Sequence, residues 1–215
     1  MIKAILFDLD GTLINSLDDL ADGVNHTLCE YGFPTHETEK YKIFVGDGMR
    51  KLIERALPEE HRNTEIHDRV LADFMVYYKA HSLVKTAPYD DVYALLDALG
   101  EKGVKSAVIT NKAHAAAVTI TEHFFAKQIT KIYGQRDGIP TKPNPEIINL
   151  ALEEMGLKAE ECLFVGDSGM DMKAGVNSSI TPVGVTWGFR KSEELLENGA
   201  EHLIDKPLEL LDLVK

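Results

Sequence analysis

The sequence predicts an α/β fold: a doubly wound, mostly parallel Rossmann-like sheet with an inserted all-helical cap domain. Three observations carry that expectation. Short apolar, β-branched runs recur along the chain, and helix-like segments alternate with them. One long stretch near the start shows helical periodicity alone.

The strand-like runs, in order, are "IKAILF" (2–7), "VKSAVIT" (104–110), "ITKIYG" (129–134), "CLFVG" (162–166), "ITPVGV" (180–185) and "HLID" (202–205). Each is nearly continuous in apolar character rather than alternating, as parallel strands covered on both faces require. Helical segments are expected at 89–102, 112–126, 144–156 and 191–199. Between residues 16 and 83 no convincing strand occurs. Leu17, Leu20, Val24, Leu28 and Tyr31 recur at spacings of three and four, and Ile66, Val70, Phe74 and Tyr78 at four. Both patterns mark helices with one buried stripe. "YGFPT" (31–35) and "LPEEH" (57–61) interrupt them. The expected division is a catalytic core of residues 1–15 and 84–215 and a helical cap of residues 16–83. Neither internal repeats nor low-complexity segments occur.

The 215 residues are 44% apolar and 27% charged, values of an ordinary globular protein. Thirty-five acids against 23 basic residues give a formal charge of −12. That balance argues against nucleic acid or an anionic membrane surface as partner. A small anionic substrate stays compatible, because a metal ion or a lysine inverts the field of a single pocket. Cys29 and Cys162 lie in unlike contexts without metal-ligand spacing and read as small buried hydrophobes of a reducing compartment. Lys3 and Asp8 interrupt the N-terminal apolar run, which is too short for a signal segment or a membrane span. A soluble cytoplasmic monomer or homodimer is expected.

Four short motifs sit at or near predicted strand ends: "DLDGT" (8–12), "ITN" (109–111), "TKPNP" (141–145) and "GDSGMD" (166–171). In an open parallel sheet the loops at carboxyl strand ends converge on one crevice. Clustered carboxylates repel one another unless a cation joins them, and oxygen-only ligands favour Mg²⁺. Lys142, Thr110 and the N–H groups around Gly11 can hold phosphate oxygens instead. A phosphate bound there leaves one carboxylate free to attack phosphorus, giving an aspartyl phosphate. The plain alternative is a solvated strand end with "DG" as a turn, and a surface lysine ahead of a helix. "GDGMRK" (46–51) is a weak match to a nucleotide loop and better supplies a helix start, with Arg50 facing the substrate's far end. His81 and His114 are expected on helix surfaces and Trp187 in a loop near the site entrance.

The four motifs, in this order and with this insertion, resemble the haloacid dehalogenase superfamily of phosphotransferases over essentially the whole chain. Within it, "FDLDGTL", "VGDGMRKLIERAL", "ITNK", "TKPNPE" and "LFVGDSGMDMKAG" are together most similar to phosphoglycolate phosphatases with a helical cap of the first type. The resemblance implies Asp8 as nucleophile and metal ligand. It implies that Asp10 gives its backbone carbonyl to Mg²⁺ and its carboxyl as acid, then base. Asp167 would complete the protein ligands, with Asp171 in or just behind them. Lys142 would stabilise the transferring phosphoryl group, and Thr110 and Asn111 would orient it. Gly11, Thr12, Gly46 and Arg50 would contact phosphate or substrate. A small phosphorylated metabolite is implied, 2-phosphoglycolate first. A sugar phosphomutase, an inorganic pyrophosphatase or a non-catalytic phosphate-binding module on the same fold are the alternatives. A Rossmann-type oxidoreductase is disfavoured by acids where its first glycine-rich turn should lie. One departure is Asn15, where many relatives carry Asp, so the charge at the cap hinge differs.

Overall fold

The computed structural model describes residues 1–62 and 64–214; Asn63, within the predicted insertion, and Lys215 lie outside the described residues. The chain opens with β1 (Ala4–Phe7) and a two-residue strand, β2 (Ile14–Asn15). Four helices follow: α1 (Leu17–Glu30), α2 (Thr38–Phe44), α3 (Met49–Ala56) and α4 (Glu65–His81). A second two-residue strand, β3 (Ala87–Pro88), leads to α5 (Val92–Glu101), β4 (Lys105–Ala113), α6 (His114–Phe125) and β5 (Ile129–Gln135). The chain continues through α7 (Glu146–Met155), β6 (Cys162–Gly166), α8 (Gly169–Asn177), β7 (Thr181–Val185), α9 (Ser192–Glu197) and β8 (His202–Ile204).

Six strands form one sheet in the order β5-β4-β1-β6-β7-β8, and every pairing is parallel. β1 is wholly buried and sits between β4 and β6. Its side chains divide by the two-residue period of a strand. Ile5 and Phe7 enter a core with Val108, Val165, Leu96 and Ile120. Ala4 and Leu6 enter the core of the opposite face, with Ile109, Phe164, Ile148 and Ala174. Both faces are therefore covered, which is why these strands read as unbroken apolar runs.

The four helices from α1 to α4 bury a cluster of their own, including Leu20, Val24, Leu28, Tyr41, Phe44, Ile53, Val70, Phe74 and Tyr78. The predicted stripes of α1 and α4 supply most of it. Two features join this unit to the sheet. β2 pairs antiparallel with β3, Ile14 opposite Pro88 and Asn15 opposite Ala87. Asp19, buried on α1, accepts the N–H groups of Val84, Lys85 and Thr86 and the Thr86 hydroxyl.

The structure departs from the sequence reading in four places. β4 continues through Ala113, with an irregular register between Ile109 and Ala113, so "ITN" lies inside the strand. Helix α8 was not anticipated, because its glycines blur the helical period; Gly175 packs closely on the Pro182 ring and the Ile180 carbonyl. β2 and β3 are too short to register as runs. Cys162 is buried but Cys29 is exposed, since it falls on the outer side of α1.

Candidate active site

The site forms where β1 stops between its two neighbours. Phe7 stands opposite Val108 on one side and Val165 on the other. The Asp8 N–H still donates to the Val165 carbonyl at 2.8 Å, so its carboxyl is fixed at the strand end. The chain then turns: Thr12, Leu13 and Ile14 all donate to Leu9 O, and Gly11 donates to Ile14 O at 2.8 Å. Gly11 takes φ +85°, and an added Cβ would lie 2.3 Å from Asp167 Oδ2. Only glycine permits both the backbone and that approach.

Asp167 follows β6 directly. Thr12 donates its hydroxyl to Asp167 Oδ1 at 3.4 Å, and Phe189 donates its N–H to Oδ2 at 2.8 Å. Asp171 stands in the first turn of α8, where its Oδ2 accepts the Ser168 N–H at 3.0 Å and hydroxyl at 2.6 Å, a reciprocal cap with Ser168. Its Oδ1 accepts from Lys142 Nζ at 2.6 Å. Lys142 also donates to Ile109 O at 3.0 Å and lies 2.9 Å from Asp8 Oδ1. Asn111 locks this lysine's backbone, accepting its N–H at 2.8 Å and donating to its carbonyl at 3.2 Å.

Burial opposes the positive charge of Lys142, but Asp171 and Asp8 outweigh it and raise its pKa. Asp8 is also raised, to about 6: burial is the main cause, Lys142 works against it, and Asp171 and Asp10 reinforce it. The two shifts are compatible because Lys142 is shared, with its shorter contact to Asp171. Asp167 is pushed well up by burial, then by Asp171 and Asp8.

Asp10 faces a different set of donors. Ser16 donates its hydroxyl to Asp10 Oδ1 at 2.5 Å. Lys112 Nζ lies 2.9 Å and 3.1 Å from the two carboxyl oxygens and donates to the Tyr78 hydroxyl at 2.9 Å. Burial works against the Lys112 charge, yet Asp10 and Tyr78 raise its pKa on balance. Asp8 and Asp10 are thus paired with separate lysines, one reached from the loop before α7 and one from β4.

The helical unit closes over this floor. Leu20, Val45, Met49 and Leu52 from that unit, with Phe189, form the apolar side of a cavity of about 30 Å³ that also meets Asp8, Asp10, Thr110, Asn111 and Lys112. Gly46 lines it and accepts from Asn111 Nδ2 at 3.0 Å. Arg190 reaches across to Val45 O at 2.8 Å. The expectation for Arg50 is corrected: it lies outside the cavity lining and pairs with Asp68 at 2.7 Å, both more than half exposed. Successive helix residues turn by about 100°, so with Met49 at the cavity Arg50 points away along the surface. Gly11, Thr12, Lys142 and Asp171 are not among the cavity-lining residues, and Gly11 and Thr12 meet Asp167 instead. His81 is exposed, and His114 is half-buried, accepting from the Gly134 N–H at its Nδ1. Trp187 donates to Thr12 O at 3.0 Å, packing the loop after β7 on the turn after β1. Sequence reasoning missed Lys112, Ser16, Tyr78 and Arg190 as parts of the site. "ITNK" held a signal for Lys112, next to two residues already assigned.

The donor set suits a hard divalent cation. Asp8, Asp167 and Asp171 each offer an oxygen within 4.8 Å of the others'. Four buried or nearly buried acids, with Asp10, are met by two buried lysines, leaving negative charge in excess. Among the described residues Asp8 Oδ1 is buried without a hydrogen-bond partner despite its nearby lysine. All the ligand atoms are oxygens, as Mg²⁺ or Ca²⁺ requires.

A core sheet, an inserted helical unit and carboxylates gathered at the ends of β1 and β6 define a class. The chain belongs to the haloacid dehalogenase-like hydrolases, whose family model matches residues 5–185. It is a phosphatase of that superfamily, a phosphoric monoester hydrolase. It is similar to the phosphoglycolate phosphatase of Colwellia psychrerythraea, 32% identical over 99% of this chain and 97% of that protein. The corresponding enzyme of Vibrio parahaemolyticus is 33% identical over 99% of this chain and 96% of that protein. Among solved structures, a predicted phosphoglycolate phosphatase from Haemophilus somnus superposes with a TM-score of 0.91. That pair is 27% identical over all of this chain and 98% of the other.

Proposed function

We propose that the chain hydrolyses a small phosphorylated metabolite, 2-phosphoglycolate first, with Mg²⁺ and through an aspartyl phosphate on Asp8. The observation that carries this reading is the separate bracing of two carboxylates one residue apart: Asp8 by Lys142, Asp10 by Lys112 and Ser16.

Asp8 attacks phosphorus, and the bond from phosphorus to the ester oxygen breaks. Asp10 gives a proton to that leaving oxygen, then takes one from the water that attacks the phosphoenzyme and frees Asp8. Lys142 and the backbone around Gly11 hold charge on the phosphoryl oxygens, while Thr110 and Asn111 orient them. Mg²⁺ held by Asp8, Asp167 and the Asp10 carbonyl, with Asp171 behind, would neutralise the acids and the phosphate. Residues 16–83 act as the cap, and the contacts Asn111–Gly46, Arg190–Val45 and Lys112–Tyr78 fix the enclosed position. The full-length likeness to enzymes named phosphoglycolate phosphatase supports a short substrate.

Phosphate release from a panel of small phosphoesters and pyrophosphate, with Mg²⁺ or with EDTA, tests this. Metal-dependent release highest on 2-phosphoglycolate, and lost in a folded Asp8→Asn variant, is expected. Undiminished release by Asp8→Asn would remove the covalent mechanism. Preference for another ester would replace the substrate.

A further inference from the structure

Arg190 leaves one guanidinium nitrogen unused. The residue follows β7 on the loop past Gly188 and lines the cavity with Asp8, Asp10 and Lys112. Its side chain is 14% exposed. Nη2 donates to Val45 O of the helical unit, and Nε lies 3.5 Å from Glu194 on the outer side. Nη1 is buried and has no hydrogen-bond partner among the described residues. A charged donor held from water with no acceptor is unfavourable in itself.

The other two cations of the site, Lys112 and Lys142, already meet carboxylates. Lys112 is engaged by both Asp10 oxygens and by Tyr78. Lys142 is engaged by Asp8, Asp171 and Ile109 O. The neighbouring wall, Val45, Met49 and Leu52, offers no side-chain acceptor. Asp47, whose Oδ1 is also buried without a partner among the described residues, lines a second cavity with Arg190. On the side of the Asp8 cavity a substrate oxygen would complete Nη1, and a negative charge matches it better than a neutral oxygen.

We infer that Arg190 binds an anionic group at the substrate's end opposite the phosphate, so that esters with a negatively charged tail are selected. This rests on the phosphatase reading above and gives its substrate preference a residue. Because Nη2 of the same guanidinium holds Val45 O, a bound tail also braces the helical unit against the sheet. A phosphate ester of a short hydroxy acid satisfies both ends, its phosphate beside Asp8 and its carboxylate at Arg190.

Two esters of nearly equal size separate this role from a structural one: 2-phosphoglycolate and 2-hydroxyethyl phosphate. Their kcat/KM values are to be measured with Mg²⁺ for the wild type, Arg190→Met and Arg190→Lys, with circular dichroism as the check on folding. Wild type should favour the carboxylate ester at least about tenfold. Arg190→Met removes the Val45 contact for both esters, and beyond that shared loss it should lose roughly a further 10-fold or more on the carboxylate ester alone, with partial recovery in Arg190→Lys. Equal losses on both esters would overturn the inference, making Arg190 a contact to the transferring phosphate or a clasp on Val45. Equal turnover of both esters by the wild type would overturn it without any variant. Should the wild type ignore 2-phosphoglycolate yet hydrolyse the phosphate ester of 3-hydroxypropionate with the same Arg190 dependence, the proposed substrate fails and the role of Arg190 stands.

Discussion

Replacing Asp19 with Ala should destabilise the protein by about 4 kcal/mol while leaving every group around Asp8 in place. Asp19 accepts Val84 N–H at 3.1 Å, Lys85 N–H at 2.9 Å, Thr86 N–H at 2.8 Å and the Thr86 hydroxyl at 2.7 Å. Val84 and Lys85 are exposed, so water can take over their donors, whereas Thr86 is buried. Two donors are then left without acceptors, at about 1–3 kcal/mol each, and the lost acceptor is a carboxylate, which places the sum in the middle of that range. Urea unfolding of wild type, Asp19→Ala and Thr86→Val measures it. Thr86→Val removes only the hydroxyl contact and should cost about 1 kcal/mol. A loss below about 1 kcal/mol for Asp19→Ala would refute the reasoning, because it would mean that water reaches Thr86 once the carboxylate is gone.

Lys112→Met should lower kcat about 100-fold or more, since it frees the carboxyl assigned to proton transfer. A purely structural role would leave the pH–rate profile unchanged in shape, so that profile is the decisive readout. Tyr78→Phe should cost far less, as Asp10 keeps both its lysine and its serine. Asp8 makes the metal-free enzyme sensitive to pH in an unusual direction. Its pKa rises from 3.8 unfolded to about 6 folded, so the folded state retains a proton the unfolded chain has released. Stability therefore falls as pH rises from about 4 to about 6, and Asp8→Asn should show a shallower slope in urea midpoints measured across the window, with Asp167, raised mainly by its burial, keeping a contribution of the same sign. Added Mg²⁺ should raise the melting temperature more above that window than below it; no such dependence would remove Asp8 from the ligands.

Much of this was legible beforehand because β1, β4 and β6 are buried on both faces and must be written as unbroken apolar runs. Acids placed at the end of such runs, as Asp8 and Asp167 are, have no packing reason to be there and so announce chemistry. The helical unit was equally readable from the stripes Leu20–Val24–Leu28 and Val70–Phe74–Tyr78, which its own cluster buries. What stayed hidden depends on contacts distant in sequence. Lys112 pairs with a residue 102 positions away and Arg190 with one 145 away; only the neighbouring Thr110 and Asn111 hinted at Lys112, and nothing local distinguishes Arg190 from a surface cation. Arg50 shows the opposite error: a cation beside a glycine-rich turn suggested a ligand contact, but helical geometry turned it toward Asp68. Helix α8 escaped because close packing against Pro182 demands glycine where a helix would favour alanine.

The two-residue ladder of β2 and β3 has an evolutionary consequence. Strands paired in a sheet lie about 5 Å apart, so the chain leaves the sheet at Asn15 and returns at Ala87 through what is geometrically a hairpin. A short turn could join those two residues without cutting any strand of the six-stranded sheet. The sheet itself therefore sets no length for the segment between them. What ties that segment to the floor of the site is a few side chains, Ser16 on Asp10 and Tyr78 on Lys112, and a segment of another length would have to supply those two contacts again.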